Sequence, residues 1–284
     1  MIHIVGVHGV GAFAPGPAAA TAHRIATAWK AALNASEHLP WPPAQVDLDI
    51  AYFAHLLQPP DKRREGERQR PREDDPDVAE LVGEFLELLA PDPALVKGSW
   101  APREAAAKLA ELFGWNEDAS LAFLRVFFPD VAAYMRDEGD FVPRGEVLDK
   151  VGSDLAGADI VIAHSLGSVV AYEALWHHRT DLPLLITIGS PLAMPMIFPH
   201  LTPEPVEGKG AKPPGVRRWV NIADHGDVVA SPPGGISERF KGVDLDVEDD
   251  IDAPFFHDEV QYLQSRSLGR ALADWNTGPT AAPQ

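Results

Sequence analysis

A buried strand that runs directly into a helix constrains the fold of this chain more than any other stretch. Residues 158–163, ADIVIA, have the almost unbroken apolar run of a strand that is covered on both faces. Residues 166–179 continue at once as an apolar helix, LGSVVAYEALWHHR. Only His164 and Ser165 remain to join the two elements. The chain must therefore turn sharply at this point, and Ser165 must stand at the corner.

Strands and helices alternate on both sides of this corner, and this pattern predicts an α/β fold. The strand-like runs are residues 2–7, 46–56, 158–163, 182–189, 216–223 and 242–247. The helical stretches among them are residues 18–34, 144–156, 166–179 and 258–275. Strands that are joined by helical crossovers pair in parallel, so we expect a mainly parallel sheet with helices on both faces.

A helical block interrupts the alternation and sets the expected domain organisation. Residues 77–139 hold three amphipathic helical segments punctuated by prolines and a glycine. Residues 58–76 before them carry many charges of both signs and almost no apolar side chains, which predicts a solvated loop. We assign residues 1–56 and 144–275 to the α/β core, 57–143 to a helical insertion that acts as a cap or lid, and 276–284 to a flexible tail.

Composition and charge exclude several classes of function. The formal net charge of −18 would repel nucleic acid and anionic membranes, so we expect neither as a partner. The chain has no cysteine, which excludes disulfides, thiolate nucleophiles and Cys-based zinc sites. No apolar run is long enough for a membrane span, and the first residues, MIHIVGVHGVG, have no basic n-region of a signal peptide. A cytoplasmic location is therefore expected.

The corner at Ser165 has the residues that a nucleophilic serine needs. The hydroxyl must stand clear of the backbone, and a tight strand-to-helix turn achieves this when the residues two before and two after the serine are small. Here they are Ala163 and Gly167, with alanine where glycine is usual. The alternative is that Ser165 is only an N-cap of the following helix, a position where serine is common.

Acyl transfer also needs N–H groups that bind an oxyanion. One donor is expected to be the backbone amide of Leu166, next to the nucleophile. The loop VHGVG after the first strand is placed to supply a second, and the amide of Val10 is the best candidate. We assign His8 and Gly9 in this loop, together with His164 in the corner, to the lining of the substrate site. The alternative for His8 and Gly9 is an ordinary turn.

The base and the acid that would complete a catalytic triad should follow later strands of the sheet. Of the eleven histidines, His257 is the one that lies after the last strand and before the final helix. The segment NIADHGDVVA follows another strand and offers two carboxylates, Asp224 and Asp227. Asp227 is the preferred candidate, and both residues have an alternative role as ordinary turn residues.

These stretches together resemble a known family. The segments VHGVG, AHSLGS, TIGSPL, NIADHGDVVA and FFHDEVQYL are similar to those of α/β-hydrolases of the lipase/esterase type. The pairing of AHSLGSVVAYEAL with TIGSPL resembles bacterial lipase-like and peptidase-like serine hydrolases in particular. The resemblance covers residues 1–56 and about 144–275, and the insertion carries no motif of the family.

The resemblance implies a serine hydrolase that cleaves a carboxylic ester through an acyl-enzyme, with Ser165, His257 and Asp227 as its triad. The substrate would be a small-molecule ester or acyl compound with an apolar part, and no cofactor is implied. One alternative is an amidase, peptidase or thioesterase that uses the same triad. The other is a noncatalytic module that keeps the fold and binds a ligand or a protein.

Two further segments have competing interpretations. The aromatic-rich stretch 121–135 of the insertion either lines an apolar acyl pocket or anchors the insertion by packing; its large side chains are Phe123, Phe127, Phe128, Tyr134 and Met135. The acidic segment 244–258 has the alternation of a half-exposed strand and no EF-hand spacing, so we expect no metal site there.

Overall fold

The computed structural model describes residues 1–65, 75–89, 102–139, 141–230, 235–251 and 257–275. The chain divides into two units. The first comprises Met1–Gly9, Gly16–Phe53 and the chain from Val147 onward, and the second comprises Val10–Pro15 and Ala54–Glu146. The predicted insertion, residues 57–143, lies within the segment Ala54–Glu146 of the second unit. The predicted tail, 276–284, lies outside the described residues.

The described strands and helices follow one another in the predicted alternation. The strands are β1 (Ile2–Val7), β2 (Val46–Ala51), β3 (Ile160–His164), β4 (Leu182–Ile188), β5 (Gly210–Ala211), β6 (Val216–Asp224), β7 (Phe240–Lys241) and β8 (Leu245–Asp249). The helices are α1 (Ala18–Ala35), α2 (Pro60–Glu65), α3 (Pro76–Leu89), α4 (Pro102–Phe113), α5 (Glu117–Met135), α6 (Arg144–Asp154), α7 (Leu166–His178), α8 (Glu259–Gln264) and α9 (Arg266–Ala273). Short 3-10 turns occupy Pro43–Gln45, Ala54–Leu57, Phe198–His200 and Ile236–Glu238.

Six strands of the first unit form one parallel sheet in the order β2-β1-β3-β4-β6-β8, and β5 pairs with β7 apart from it. The central strand β3 is buried along its whole length, and β4 is buried at six of its seven residues. Strands that are covered on both faces need such continuous apolar runs. The predicted α/β class with a mainly parallel sheet flanked by helices is confirmed.

The strand order reverses between β1 and β3, and this reversal positions the candidate site. From β1 the chain crosses through α1 to β2 on one side, whereas from β3 it crosses through α7 to β4 on the other. Right-handed crossovers in opposite directions put α1 and α7 on opposite faces of the sheet. A crevice opens at such a reversal, outside the carboxyl ends of the strands, and ligands bind there in open α/β sheets.

Three predicted elements differ from the structure. The second strand ends at Ala51 instead of residue 56, because the backbone N–H of Phe53 donates to the imidazole Nε2 of His8 (3.1 Å) instead of continuing the sheet. The final helix is broken at Ser265, whose hydroxyl accepts the N–H of Leu268 (3.1 Å) and caps α9. The expected loop 58–76 contains the short helix α2.

Helix α2 is held by an arginine that the charge pattern did not single out. The guanidinium of Arg63 donates to both carboxylate oxygens of Glu146 (2.8 Å each) and to the backbone carbonyls of Leu56 (2.8 Å) and Gln58 (2.6 Å). The hydrogen bonds from Arg63 lower the pKa of Glu146. A planar guanidinium can satisfy a carboxylate and two carbonyls at once, so these few residues fold into a turn of helix. Residues 66–74 of the expected loop lie outside the described part of the chain.

The second unit has an aromatic core of its own. Phe127 and Phe128 pack against each other with ring centroids 5.1 Å apart, and Phe85 lies 5.3 Å from Phe128. These three side chains and Tyr134 are almost fully buried, whereas Phe123 and Met135 are partly exposed. For Phe127, Phe128 and Tyr134 the burial favours the packing interpretation over the acyl-pocket interpretation. Asp130, also buried, accepts the backbone N–H of Gly11 (2.7 Å) and so ties Val10–Pro15 to α5.

None of the helices in the described residues combines the length and the apolar character that crossing a bilayer requires.

Candidate active site

The corner at Ser165 adopts a strained backbone conformation. Ser165 follows β3 directly and precedes α7, with φ 54° and ψ −132°, a region that residues other than glycine seldom occupy. Its N–H donates to the carbonyl of Ile188 (3.1 Å), and its own carbonyl accepts the N–H (2.8 Å) and the hydroxyl (2.6 Å) of Ser168. These three bonds fix the corner from the neighbouring strand and from the first turn of α7.

Both small residues around Ser165 are buried. Ala163 is fully buried in β3. A Cβ atom added at Gly167 would lie 2.4 Å from the carbonyl oxygens of Val7 and His8, because α7 crosses directly over the end of β1. Backbone atoms cannot move aside as a flexible side chain can. Glycine at position 167 is therefore required by the approach of α7 to β1.

Replacing Gly167 with alanine is expected to lower the free energy of unfolding by about 1–3 kcal/mol, the usual cost of overpacking. Urea unfolding followed by circular dichroism measures it. Gly83→Ala is the matched control: a Cβ at this interior position of α3 meets nothing within 4 Å, so the change should gain up to about 1 kcal/mol of helix propensity. A Gly167→Ala chain as stable as the original would contradict the close approach.

The structure brings Ser165, His257 and Asp227 into one hydrogen-bonded chain. The hydroxyl Oγ of Ser165 lies 2.7 Å from Nε2 of His257, and Nδ1 of the same ring lies 2.8 Å from Oδ2 of Asp227. The Ser165 side chain makes no capping bond to α7, which argues against the N-cap alternative. The three residues follow β3, β6 and β8, whose parallel arrangement brings their carboxyl ends to the same edge of the sheet.

Asp227 and Asp224 take different places, and only Asp227 contacts His257. The Asp227 side chain is fully buried, and its Oδ1 accepts the backbone N–H groups of Val229 (2.9 Å) and Ala230 (3.3 Å). Asp224 instead accepts the N–H groups of Gly226 and Ile251, each at 2.7 Å. Asp224 is thus the turn residue of this segment, and Asp227 presents its carboxylate to the imidazole.

Tyr262, on α8, completes the surroundings of Asp227, and the sequence analysis did not identify it. Its hydroxyl donates to Oδ2 of Asp227 (2.7 Å) and accepts the N–H of Asp224 (2.9 Å). Burial, followed by the negative charge of Asp227, raises the pKa of Tyr262, so the phenol stays protonated and remains a donor. The sequence feature that could have identified Tyr262 is its position five residues after His257, one turn into the next helix.

Gly189 is the second residue that the sequence analysis missed. It follows β4 with φ 53°, and a Cβ there would lie 2.9 Å from Oδ2 of Asp227 and 3.1 Å from Nδ1 of His257. The positive φ and the lack of space both require glycine. The corresponding signal is the glycine in TIGSP at the end of a buried strand.

Tyr262→Phe is expected to lower kcat/KM for ester substrates by about 10-fold, because a hydrogen bond to a charged group contributes about 1.5–3 kcal/mol and part of it orients Asp227. Steady-state kinetics measure this effect. Tyr172→Phe, which removes a buried hydroxyl bonded to the carbonyl of Ala211 (3.1 Å), is the control. Equal kcat/KM values for the two variants would exclude a positioning role of Tyr262.

His8 and Gly9 shape the loop after β1. His8 is buried and stacked on Phe53, with ring centroids 4.3 Å apart. Because its Nε2 accepts the N–H of Phe53, the ring proton lies on Nδ1 and is donated to the carbonyl of Gly9 (2.8 Å). A Cβ at Gly9 would stand 2.7 Å from that of Ser165. His8 therefore holds the loop, and glycine at position 9 lets the loop approach the corner.

His164 lies behind the imidazole of His257. Its ring is buried, tilted by 36° and centred 4.7 Å from the ring of His257. Burial, followed by the nearby imidazole of His257, lowers the pKa of His164 well below its ordinary value, so this ring is neutral. It supports His257 by packing, without adding a charge beside it.

Of the two predicted oxyanion donors, Leu166 has a position in the structure that suits the role. Leu166 is the first residue of α7, and the first N–H groups of a helix have no partner within the helix. Its amide is therefore placed to bind an anion beside the serine, at the positive end of the helix dipole. Val10 begins the segment Val10–Pro15 of the second unit, and its role as a donor stays a prediction.

Asp244, just before β8, and Asp246, within it, contact structural partners. Asp244 pairs with Lys212 (2.9 Å) and accepts the N–H of Trp219 (2.8 Å), while Asp246 accepts from Asn221 (2.8 Å) and from the N–H of Ser237 (2.7 Å). Across the described residues, three donors able to hold one metal ion converge only at Asp149, His177 and His178. This cluster lies at the far end of α7 from Ser165.

Comparison of the chain with protein-family models, with curated proteins and with solved structures found no match.

Proposed function

We propose that the protein is a serine hydrolase that cleaves carboxylic esters through an acyl-enzyme intermediate. The observation that carries the proposal is the unbroken relay from the Ser165 hydroxyl to His257 (2.7 Å) and from His257 to Asp227 (2.8 Å). A serine, an imidazole and a carboxylate at these separations are the parts that activate a hydroxyl nucleophile. A residue that only capped a helix would not need a part-buried imidazole and a buried carboxylate behind it.

The reaction follows from the positions of the protons. As Oγ of Ser165 attacks the acyl carbon, its proton passes to Nε2 of His257, and the carbonyl electrons move onto oxygen. Asp227 stabilises the imidazolium and keeps the other ring proton on Nδ1. The amide of Leu166, with that of Val10 as its expected partner, binds the oxyanion. His257 then protonates the departing alcohol.

The acyl-enzyme is hydrolysed by the same groups. Water donates its proton to Nε2 of His257 and adds to the acyl carbon, and the imidazolium returns this proton to Oγ of Ser165 as the carboxylic acid leaves. The balance of the two half-reactions is one ester and one water consumed, with one acid and one alcohol released.

The topology supports an α/β-hydrolase of the lipase/esterase type. The nucleophile follows a central strand at the reversal of strand order, and the acid and the base follow later strands in the order Ser, Asp, His. That chain order is typical of α/β-hydrolases and differs from the orders in chymotrypsin-like and subtilisin-like enzymes. The same relay would also cleave thioesters and amides. Relative kcat/KM values on an ester, a thioester and an amide with one common acyl group will define the reaction class.

Covalent labelling with a fluorophosphonate tests the proposal. The native chain should be labelled at Ser165, and Ser165→Ala should not be labelled, because phosphonylation needs the activated hydroxyl. Ser153→Ala is the control, since this exposed serine of α6 lies outside the relay. A folded native chain that is not labelled, or that is labelled equally in the Ser165→Ala variant, would favour the noncatalytic binding module instead.

A further inference from the structure

Two histidines at the end of α7 and an aspartate on α6 bring three metal-binding atoms together on the surface of the first unit. Nε2 of His177 lies 3.2 Å and Nε2 of His178 lies 3.6 Å from Oδ1 of Asp149. All three donor atoms lie within 4.8 Å of one another, and all three residues are exposed. The proposed hydrolase reaction uses none of them.

We propose that Asp149, His177 and His178 form a binding site for a divalent transition-metal ion such as Zn²⁺. Zn²⁺ binds imidazole nitrogen and carboxylate oxygen at about 2.0–2.1 Å in a tetrahedron, which puts neighbouring donors about 3.3 Å apart. The two nitrogen–oxygen separations bracket this value. Two imidazoles with one carboxylate favour Zn²⁺, Ni²⁺ or Cu²⁺ over Mg²⁺ and Ca²⁺, which prefer oxygen ligands. Water would fill the fourth position.

The surroundings hold the ligands in place and favour a cation. The ring of His178 lies directly over Gly152 of α6, where an added Cβ would stand only 1.8 Å from the ring. The absence of a side chain at position 152 therefore leaves the space that the imidazole of His178 occupies. The cluster is at the C-terminal end of α7, where the helix dipole attracts positive charge. Lys150, the nearest cation on α6, pairs with Asp154 of its own helix instead of with Asp149.

Coordination requires only a small rearrangement of protons. Nε2 of His177 is hydrogen-bonded to Asp149, and a metal takes its place when the ring proton moves to Nδ1. The ion would then join α6 to α7, the two helices that flank β3 in sequence. His178 lies twelve positions after Leu166, so the site stands about 18 Å along α7 from the corner. The expected role is a structural clip between the helices, and it does not depend on the proposed hydrolase activity.

Titration of the full chain with ZnCl₂ by isothermal calorimetry, with thermal unfolding measured in parallel, tests the proposal. We expect saturable binding of one Zn²⁺ per chain and a rise in Tm. His177→Ala and His178→Ala should each weaken binding by at least about 10-fold, the lower range for loss of a metal-supporting group. Both side chains are exposed, so both variants should fold.

His225→Ala is the matched control. His225 is likewise an exposed histidine beside carboxylates: its Nε2 lies 3.4 Å from Glu248 and its Nδ1 lies 3.2 Å from Asp250. These two contacts are on different sides of the ring, so they cannot converge on one ion with a second imidazole. Its removal should leave Zn²⁺ binding unchanged. Absence of saturable binding to the native chain, or equal binding by the His177→Ala, His178→Ala double variant, would overturn the proposal.

Discussion

Ser165→Ala is expected to lower kcat for hydrolysis of a chromogenic ester by about 10⁴-fold or more, with the fold unchanged. In the proposed mechanism, the variant lacks the atom that forms the acyl-enzyme, and only binding and the oxyanion donors remain to assist direct attack by water. Stopped-flow kinetics will measure the effect. If deacylation is slower than acylation, the native chain should release the first equivalent of alcohol in a burst before the steady state.

The effect on stability should be small, and this separates loss of chemistry from loss of structure. Alanine at position 165 has to adopt the same positive φ as serine, and the lost hydrogen bond to His257 contributes about 0.5–1.5 kcal/mol. Ser153→Ala should match the native chain in both rate and stability. A Ser165→Ala chain that retains most of the native rate would show that any hydrolysis comes from another group.

The positions of Ser165 and His257 could be predicted because both depend on simple rules of chain order. A buried strand, a two-residue junction and a helix leave one conformation for Ser165, and strand-to-helix turns of this kind lie at the carboxyl edge of a parallel sheet. His257 was identified by its place between the last strand and the final helix. In the structure these two side chains meet at 2.7 Å.

The choice between the two carboxylates is less accessible to sequence reasoning. Asp224 and Asp227 lie three residues apart in one turn. As aspartates, both could contact His257 and both could serve as the turn residue. The two aspartates differ in role because Asp224 accepts the N–H groups of Gly226 and Ile251. Asp227 is then the carboxylate that turns inward. These partners are set by how β6 and β8 end beside each other, which is a property of the tertiary structure.

Tyr262 and the break at Ser265 were missed for a related reason. Residues 258–275 have the pattern of one helix, and a serine within a helix is common enough to be ignored. The hydroxyl of Ser265 instead caps a second helix, α9, while α8 ends one residue earlier. Helix α8 is thus a separate short helix, and its Tyr262 hydroxyl lies 2.7 Å from Asp227. Local capping chemistry, more than hydrophobic periodicity, decides this part of the fold.

Asp227→Asn is expected to lower kcat/KM by about 10⁴-fold, close to the effect of removing the nucleophile itself. The asparagine can still accept the N–H groups of Val229 and Ala230 through its amide oxygen, so the turn should persist. Its NH₂ group then faces Nδ1 of His257 and forces that nitrogen to accept. The ring proton moves to Nε2, and the imidazole can no longer take the proton of Ser165.

Asp224→Asn provides the matched comparison, because it makes the same chemical change three residues away. The backbone N–H of Gly226 or of Ile251 would then face the NH₂ group of the asparagine and lose its acceptor. This loss costs about 1–3 kcal/mol of stability. The tautomer of His257 is not affected, so kcat/KM of the folded variant should fall by less than about 10-fold. Rates measured below the unfolding transition of each variant separate the two effects. Equal losses in the two folded variants would mean that Asp227 has no special role, and the relay would then end at His257.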